Sequence, residues 1–442
     1  MTGDSGFDPR LSGLALLLTL TLATPQVVWP CGNHTHIGVT LHAIEHLPAG
    51  ALKTLVTKPE LRQMLVNGTI FPDGGYASGH DYGETAHWEP YQRALAEVVT
   101  GACPKLPEGC EPQLAFLLGM ASHGLADQVF DGLFMEVAKR QDAEGWSGDL
   151  FSSLDTMSDI IWAAEQGAAE SPGLWLPMPE LLAAFQQRGV EVTADKIQDG
   201  QTLLLSGVLT YVRNNATNAD KVAEAKSRYP WSAAHLRDPH TPGSPFCIGR
   251  MVAAYWQHLW DEWTGGTPAV VAFATVPSDG GAIPSGGADD PRSFLAVVFS
   301  RGLAAAETRS DRVRVTDAAG QTVPTTVDVF YNDNGQMLRI KPETSWPQGT
   351  LKVNVQAGAV TGRVGSLPSA EVVFRARVDG PKTVEPGAPP AAWPLAAPSP
   401  ATDDGGCGAS RRAVAGHGLV WLLLALVWLW RYKAAWTTRS RP

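Results

Sequence analysis

Cysteine is scarce in this chain, and it comes without the close pairs that build a metal ribbon. The 442 residues include 5 cysteines and no Cys-x-x-Cys, which excludes a cysteine-based zinc ribbon. Charge is sparse as well: 18% of residues are charged, with 44 acids against 34 bases and a net charge of −10. An acidic chain without a basic cluster argues against a protein whose main business is binding a nucleic-acid backbone, so no nucleic-acid partner is expected. Long apolar runs are confined to the two ends, which excludes a polytopic transporter. Hydrophobic residues nevertheless make up 44% of the chain, too many for a disordered protein. The length is enough for roughly three domains.

Each end carries an address. Leu14–Leu22 (LALLLTLTL) follows Arg10 and leads to the small-x-small pattern Thr21-Leu22-Ala23. Residues 1–23 therefore read as a secretory signal, although Asp4 and Asp8 make its start poor. Near the other end Gly418 to Trp430 is uninterrupted and apolar, and extension back to Ala413 gives about 18 residues, enough for one transmembrane helix. Arg431, Lys433, Arg439 and Arg441 follow, which places the end after the helix in the cytoplasm and everything before the helix outside, so that 405–442 form a C-terminal sorting and transmembrane tail. The expected location is the cell surface or outer membrane, with the protein anchored or released through the tail.

Between the ends, composition marks three segments. Residues 381–404 hold 7 prolines and 6 alanines, the composition of a stiff, extended linker. Residues 268–380 read as short strands: Phe294 to Phe299, Arg312 to Val315, Thr325 to Tyr331, Met337 to Ile340, Leu351 to Val355 and Val372 to Val378. Turn signals such as Asp317–Gly320 and Asn332–Gly335 separate them. That pattern suggests an Ig-like β-sandwich without a catalytic grouping, a spacer or adhesion module. Residues 24–267 show helical periodicity over Leu52–Val66, Tyr91–Val99, Leu114–Lys139, Leu154–Glu165, Leu181–Arg188, Gln198–Val212 and Gly249–Trp263. The predicted fold is an all-α helical bundle carrying the catalytic site, then a β-sandwich, then a single C-terminal transmembrane helix.

An exported chain can form disulfides. Cys103 and Cys110 bracket the short loop CPKLPEGC, and Cys103–Cys110 with Cys31–Cys247 is the favoured pairing. Other pairings and free thiols stay open.

The bundle also holds the chemistry. In Leu114–Phe134 (LAFLLGMASHGLADQVFDGLF), His123, Asp127 and Asp131 recur every four residues, within about 80° of arc on an otherwise apolar helix. Such a row is costly to bury unpaired. A metal ion removes that cost; the alternative is a solvated stripe. Phe71-Pro72-Asp73, His80-Asp81, Glu84, His87-Trp88, His34-Thr35-His36 and the pair Asp155 and Asp159 add further candidates on other helices.

Taken in order, CGNHTHIGVTLHAIEHL, IFPDGGY, HDYGETAHWEPY and FLLGMASHGLAD resemble the zinc-dependent phospholipase C family. The likeness is greatest to its branch related to glycosylphosphatidylinositol-specific phospholipase D. It covers Cys31 to about Trp162 and, more loosely, reaches Trp263. TVPSDGGAIP through Val298-Phe299-Ser300 to LRIKP is similar to SbsA-type bacterial Ig-like domains. Gly-Gly-Cys407 with the helix and basic end after it is similar to MYXO-CTERM-type sorting tails, which implies sorting or cleavage machinery as a partner.

The resemblance implies an all-α bundle whose helices hold two or three zinc ions. It makes His36 the first-helix ligand, Asp73 a bridging ligand and the catalytic base, His87 the next histidine, and His123 and Asp127 the following pair. The chain departs from the family after Asp127. Asp131 stands where one branch has histidine, and no histidine between His123 and His235 can supply the expected late pair. Asp155 and Asp159 keep its spacing, with Asp142 or Asp149 as alternatives. His34 is a candidate for the place of the family's terminal amine, and His80 and Glu84 are candidates for an outer shell around the ligands. The implied activity is metal-assisted hydrolysis of phospholipid phosphodiesters at a membrane surface, of type C or possibly D, by a monomer. The alternatives are a surface adhesion or structural protein with a decayed hydrolase domain, and a zinc-dependent nuclease.

Overall fold

Helical periodicity becomes helices wherever prolines and caps allow it. A computed structural model describes residues 32–103, 105–142, 150–167, 171–331 and 335–379. The signal segment, Cys31, Asp149, the linker and the tail lie outside the described residues. The helices are α1 (Asn33–His46), α2 (Ala51–Val56), α3 (Arg62–Ala77), α4 (Tyr82–His87), α5 (Glu89–Ala102), α6 (Glu111–Val129) and α7 (Glu136–Asp142). They continue with α8 (Leu150–Gln166), α9 (Met178–Gln187), α10 (Ala194–Leu203), α11 (Thr210–Ala216), α12 (Ala219–Arg228), α13 (Pro230–His235) and α14 (Pro245–Trp263).

The single helix expected over Leu52–Val66 is broken. Pro59 pushes Lys58 into extended backbone, with φ −63° and ψ 122°. The long element expected over Leu114–Lys139 does run on, but Phe130–Met135 winds as a π-helix between α6 and α7. Helices α3 and α6 cross with their backbones almost touching. A Cβ on Gly68 would strike the Phe116 carbonyl, and one on Gly119 the Leu65 carbonyl. Glycine is what lets these two helices approach so closely. The Cys103–Cys110 disulfide closes the α5–α6 loop, with Cα atoms 6.2 Å apart. Cys247 is buried in α14, and its expected partner Cys31 lies outside the described residues. Among the described residues no helix is long and apolar enough to cross a membrane.

The later segment forms two sheets. The strands are β1 (Ala272–Val276), β2 (Gly281–Pro284), β3 (Leu295–Phe299), β4 (Val313–Thr316), β5 (Thr322–Val323), β6 (Thr325–Val329), β7 (Met337–Pro342), β8 (Gly349–Val355) and β9 (Val372–Asp379). One sheet has the order β1-β3-β7-β6 and the other β2-β9-β8-β4-β5. All pairs are antiparallel except β2 with β9. Leu295, Val297, Phe299 and Ile340 from the first sheet meet Val315, Leu351, Val353 and Phe374 from the second in one core. Alternate residues of each strand thus face inward. The short strands β1, β2 and β5 escape the sequence reading.

Strand β3 is apolar throughout because it is buried on both faces. Ala296 and Val298, with Val276 and Met337, belong to the core of the helical part. The helices and the sandwich lie in one compact unit. Polar contacts also cross the interface. Arg301 of the sandwich is buried between Glu89 and Glu262, with Nη1 3.5 Å from Glu89 Oε1. Arg93 joins the same acids at 2.9 and 3.3 Å. Arg301→Lys keeps the charge but loses the guanidinium fork, so it should cost about 2 kcal/mol. The measurement is urea denaturation; an unchanged midpoint would show that these contacts do not hold the interface.

Candidate metal centre

Four helices bring five side chains to one point. His36 comes from α1, Asp73 from α3, His87 from the end of α4, and His123 and Asp127 from α6. Each is at most 1% exposed. His36 Nε2 lies 2.9 Å from Asp127 Oδ1. His87 Nε2 is 3.4 Å from Asp73 Oδ1 and 3.5 Å from Asp127 Oδ2. His123 Nε2 is 3.8 Å from Asp73 Oδ1 and 3.3 Å from Asp127 Oδ2. The His36 and His123 rings stack with centroids 3.9 Å apart.

The backbone orients two of the imidazoles. With its proton on Nδ1, His87 donates to the Gly83 carbonyl at 2.6 Å, and His123 donates to the Thr69 carbonyl at 2.6 Å. Nε2 of each ring is then left for a cation, the arrangement by which metal-ligating histidines are usually fixed. Gly124 makes this possible, since a Cβ there would collide with the His87 carbonyl. The short ion contacts are not aligned as hydrogen bonds. Both His36 ring nitrogens, both oxygens of Asp73 and Asp127, and Nε2 of His87 and His123 are buried without hydrogen-bond partners. So many unpartnered buried groups are costly. Two triads, His36–Asp73–His123 and His87–His123–Asp127, offer ligand atoms lying within 4.8 Å of one another. Imidazole nitrogens with carboxylate oxygens fit a divalent metal ion.

The electrostatics agree. Burial lowers the His87 imidazole, but Asp73 and Asp127 outweigh it and push it up to about 9. At His36, too, burial lowers the pKa and Asp127 more than compensates. His123 is lowered, first by burial and then by the charge of His36. Burial would raise Asp127, yet His123 and His36 hold it far below the usual carboxylate range.

A pH dependence follows. The stabilisation that a protonated His87 gives the metal-free fold is full below about 6.5 and is lost as pH rises through about 9. A metal must displace that proton, so metal affinity should rise across the same window, roughly tenfold per pH unit for the one proton. Competition titration at several pH values measures it; a flat profile would contradict the pairing of His87 with Asp73.

The remaining candidates divide. Asp131 and Asp155 are buried beside the cluster. Burial and the charge of Asp127 push Asp131 up to about 7. Burial and then Asp131 raise Asp155 well above the usual range. Both Asp155 oxygens are unpartnered, whereas Asp131 Oδ2 accepts from the Tyr331 hydroxyl. Asp159 does different work. It accepts from the His34 amide at 3.2 Å, the Thr35 amide at 2.7 Å and the Thr35 hydroxyl at 2.9 Å. It therefore caps α1, satisfying amides that a helix start leaves open, and the expected Asp155–Asp159 ligand pair is split. Asp142 caps α13 in the same way, through Trp231 N at 2.7 Å and Ser232 N at 2.9 Å.

His34 meets the Leu209 carbonyl at 3.2 Å through Nε2 and is absent from both triads. His80 Nδ1 accepts the Tyr82 amide of its own turn at 3.1 Å. Glu84 accepts from the Tyr76 hydroxyl at 2.6 Å and Trp88 Nε1 at 2.8 Å. It thereby holds the two rings packed against His87, at 4.9 and 6.0 Å between centroids. The sequence reading placed Tyr331 only at the end of a strand, because nothing in the residues around it signals contact with a helix 200 residues earlier.

No family model matches the chain, and no curated protein sequence does. Solved structures give shallow likenesses. CopC from Methylosinus trichosporium OB3b is 14% identical, covers 26% of this chain and 99% of its own, and has a TM-score of 0.21. PcoC, a methionine-rich copper resistance protein from Escherichia coli, is 14% identical over 25% of this chain and 100% of its own, with a TM-score of 0.18. The S-layer protein SbsC is 10% identical over 76% of this chain and 46% of its own, with a TM-score of 0.21. At such scores none of them carries an argument about this chain.

Proposed function

We propose that this protein is a zinc-dependent phosphodiester hydrolase acting on phospholipids at a membrane surface. One observation carries the reading: five buried His and Asp side chains from four helices converge with their donor atoms unpartnered. His36, Asp73, His87, His123 and Asp127 would hold the metal. When bound, zinc supplies positive charge to phosphoryl oxygens and an ionisable water near neutral pH. The Gly83 and Thr69 carbonyls keep His87 and His123 in the tautomer that offers Nε2. Asp73 Oδ1 faces both of those rings at 3.4 and 3.8 Å; it would help hold the metal and would be the carboxylate that takes up a proton. Type C cleavage is favoured because the family that the sequence resembles mainly performs it. An exported protein displayed through its C-terminal tail suits a substrate at a membrane surface.

A second reading, a surface adhesion or structural protein with a decayed centre, draws on Asp159, which is committed to capping α1. The two readings separate in one assay: zinc-loaded protein on mixed phospholipid vesicles, with lipid and water-soluble products identified. Release of phosphorylated head group with diacylglycerol means type C, and phosphatidic acid means type D. Metal-loaded protein that releases nothing from vesicles but cuts oligonucleotides is a nuclease. Inactivity on both favours the decayed centre.

A further inference from the structure

The turn of chain that follows the ligand Asp127 is gripped from outside the bundle. Gln336 of the sandwich donates its amide to Gln128 Oε1 at 2.6 Å, and Gln128 Nε2 lies 3.4 Å from Gln336 Oε1. Gly132 sits so close that a Cβ would strike Met337 and Phe330, and Arg339 Nη1 reaches the Gly132 carbonyl at 3.5 Å. Between these two anchors Tyr331, just after β6, donates its hydroxyl to Asp131 Oδ2. Its ring lies 4.9 Å from that of Trp88, next to the ligand His87. Tyr331 holds this position with φ at 62°, a left-handed conformation that a bulky residue rarely adopts and that clusters at functional sites. The contact leaves Asp131 Oδ1 buried and without a partner.

We propose that the β-sandwich is a working part of the metal centre, with Tyr331 as the positioning residue that holds Asp131 beside the His36–Asp73–His87–His123–Asp127 cluster. The inference rests on reading that cluster as a divalent-metal site. The phenol does for Asp131 what the Gly83 and Thr69 carbonyls do for His87 and His123: it fixes one polar atom so that the other is presented in a set orientation. It is also an uncharged donor in a pocket crowded with carboxylates, so it steadies Asp131 without adding charge.

The test is metal binding by the full chain, with zinc affinity from chelator competition and visible spectra of the cobalt-loaded protein. Tyr331→Phe should lower zinc affinity about tenfold, the usual result of losing an outer partner of a ligand. It should also change the cobalt spectrum, while the metal-free melt falls by no more than the loss of one buried hydrogen bond. Tyr331→Gly suits the positive φ but gives up the ring's packing against Trp88, so its melt should fall, and its zinc affinity should drop to a similar extent as in Tyr331→Phe. Adding Tyr331→Phe to Asp131→Asn should cost nothing further, because both act on one contact. Wild-type affinity and an unaltered cobalt spectrum in Tyr331→Phe would overturn the proposal and leave the metal centre standing. Additive losses in the double variant would overturn it too, since Tyr331 would then not act through Asp131. Wild-type protein that takes up neither zinc nor cobalt would overturn both the proposal and the reading beneath it.

Discussion

Asp73→Asn should reduce kcat/KM for phospholipid hydrolysis by about 10³-fold, equivalent to about 4 kcal/mol of transition-state stabilisation. The exchange keeps the shape of the side chain at a fully buried position, so packing changes little. What goes is the charge that faces His87 and His123, together with an oxygen basic enough to take a proton. His36, His87, His123 and Asp127 remain, so some metal should stay bound while turnover is lost. Product release from mixed vesicles measures the effect. His235→Ala provides a control: this residue stacks on Trp231 at 4.5 Å, away from the cluster, and activity should stay close to that of wild type. Equal activity in Asp73→Asn and wild type would mean that the centre is misassigned.

Metal removal is the second large effect. The cluster packs two carboxylates and three imidazoles where water does not reach, and metal binding offsets the cost of burying them. With free zinc about a thousandfold above its dissociation constant, the bound state gains about 4 kcal/mol. For a chain of this size that is a fall in Tm of roughly 10 °C in excess chelator. The fall should be steeper at pH 8.5 than at pH 6.5. At the lower pH a proton on His87 partly replaces the metal as partner to Asp73 and Asp127; near pH 9 that proton is leaving. Thermal melts with and without chelator at the two pH values measure both effects. Identical melts would remove the support for a metal linking four helices.

How far the sequence carries these features depends on the range of the interaction. The row His123, Asp127, Asp131 is local, and a period of four on an apolar helix made it legible. His36, Asp73 and His87 were singled out as ligands by the resemblance to the zinc-dependent phospholipase C family, and the structure places all three beside His123 and Asp127. Asp159 shows the limit of spacing arguments. An i, i+4 carboxylate pair has the same pattern whether its oxygens meet a cation or the amides of a helix 125 residues earlier. The π-winding at Phe130–Met135 is hidden for another reason: the apolar pattern continues unbroken through it. The sandwich reads as a spacer because its own strands carry no catalytic grouping. Its hold on residues 128–132 depends on tertiary contacts at Gln336, Tyr331 and Phe330 that leave no local pattern. The glycines that let α3, α6 and α4 approach likewise read as helix-weakening residues until the crossing carbonyls are seen.

The central claim is that the His36–Asp73–His87–His123–Asp127 cluster is a metal site, and elemental analysis tests it most directly. Protein purified without chelator and dialysed against metal-free buffer should retain zinc at about two or three ions per chain. His123→Ala, which removes the one residue shared by both triads, should retain far less. A wild-type protein that keeps no metal under these conditions, or a His123→Ala variant that keeps as much as wild type, would contradict the account.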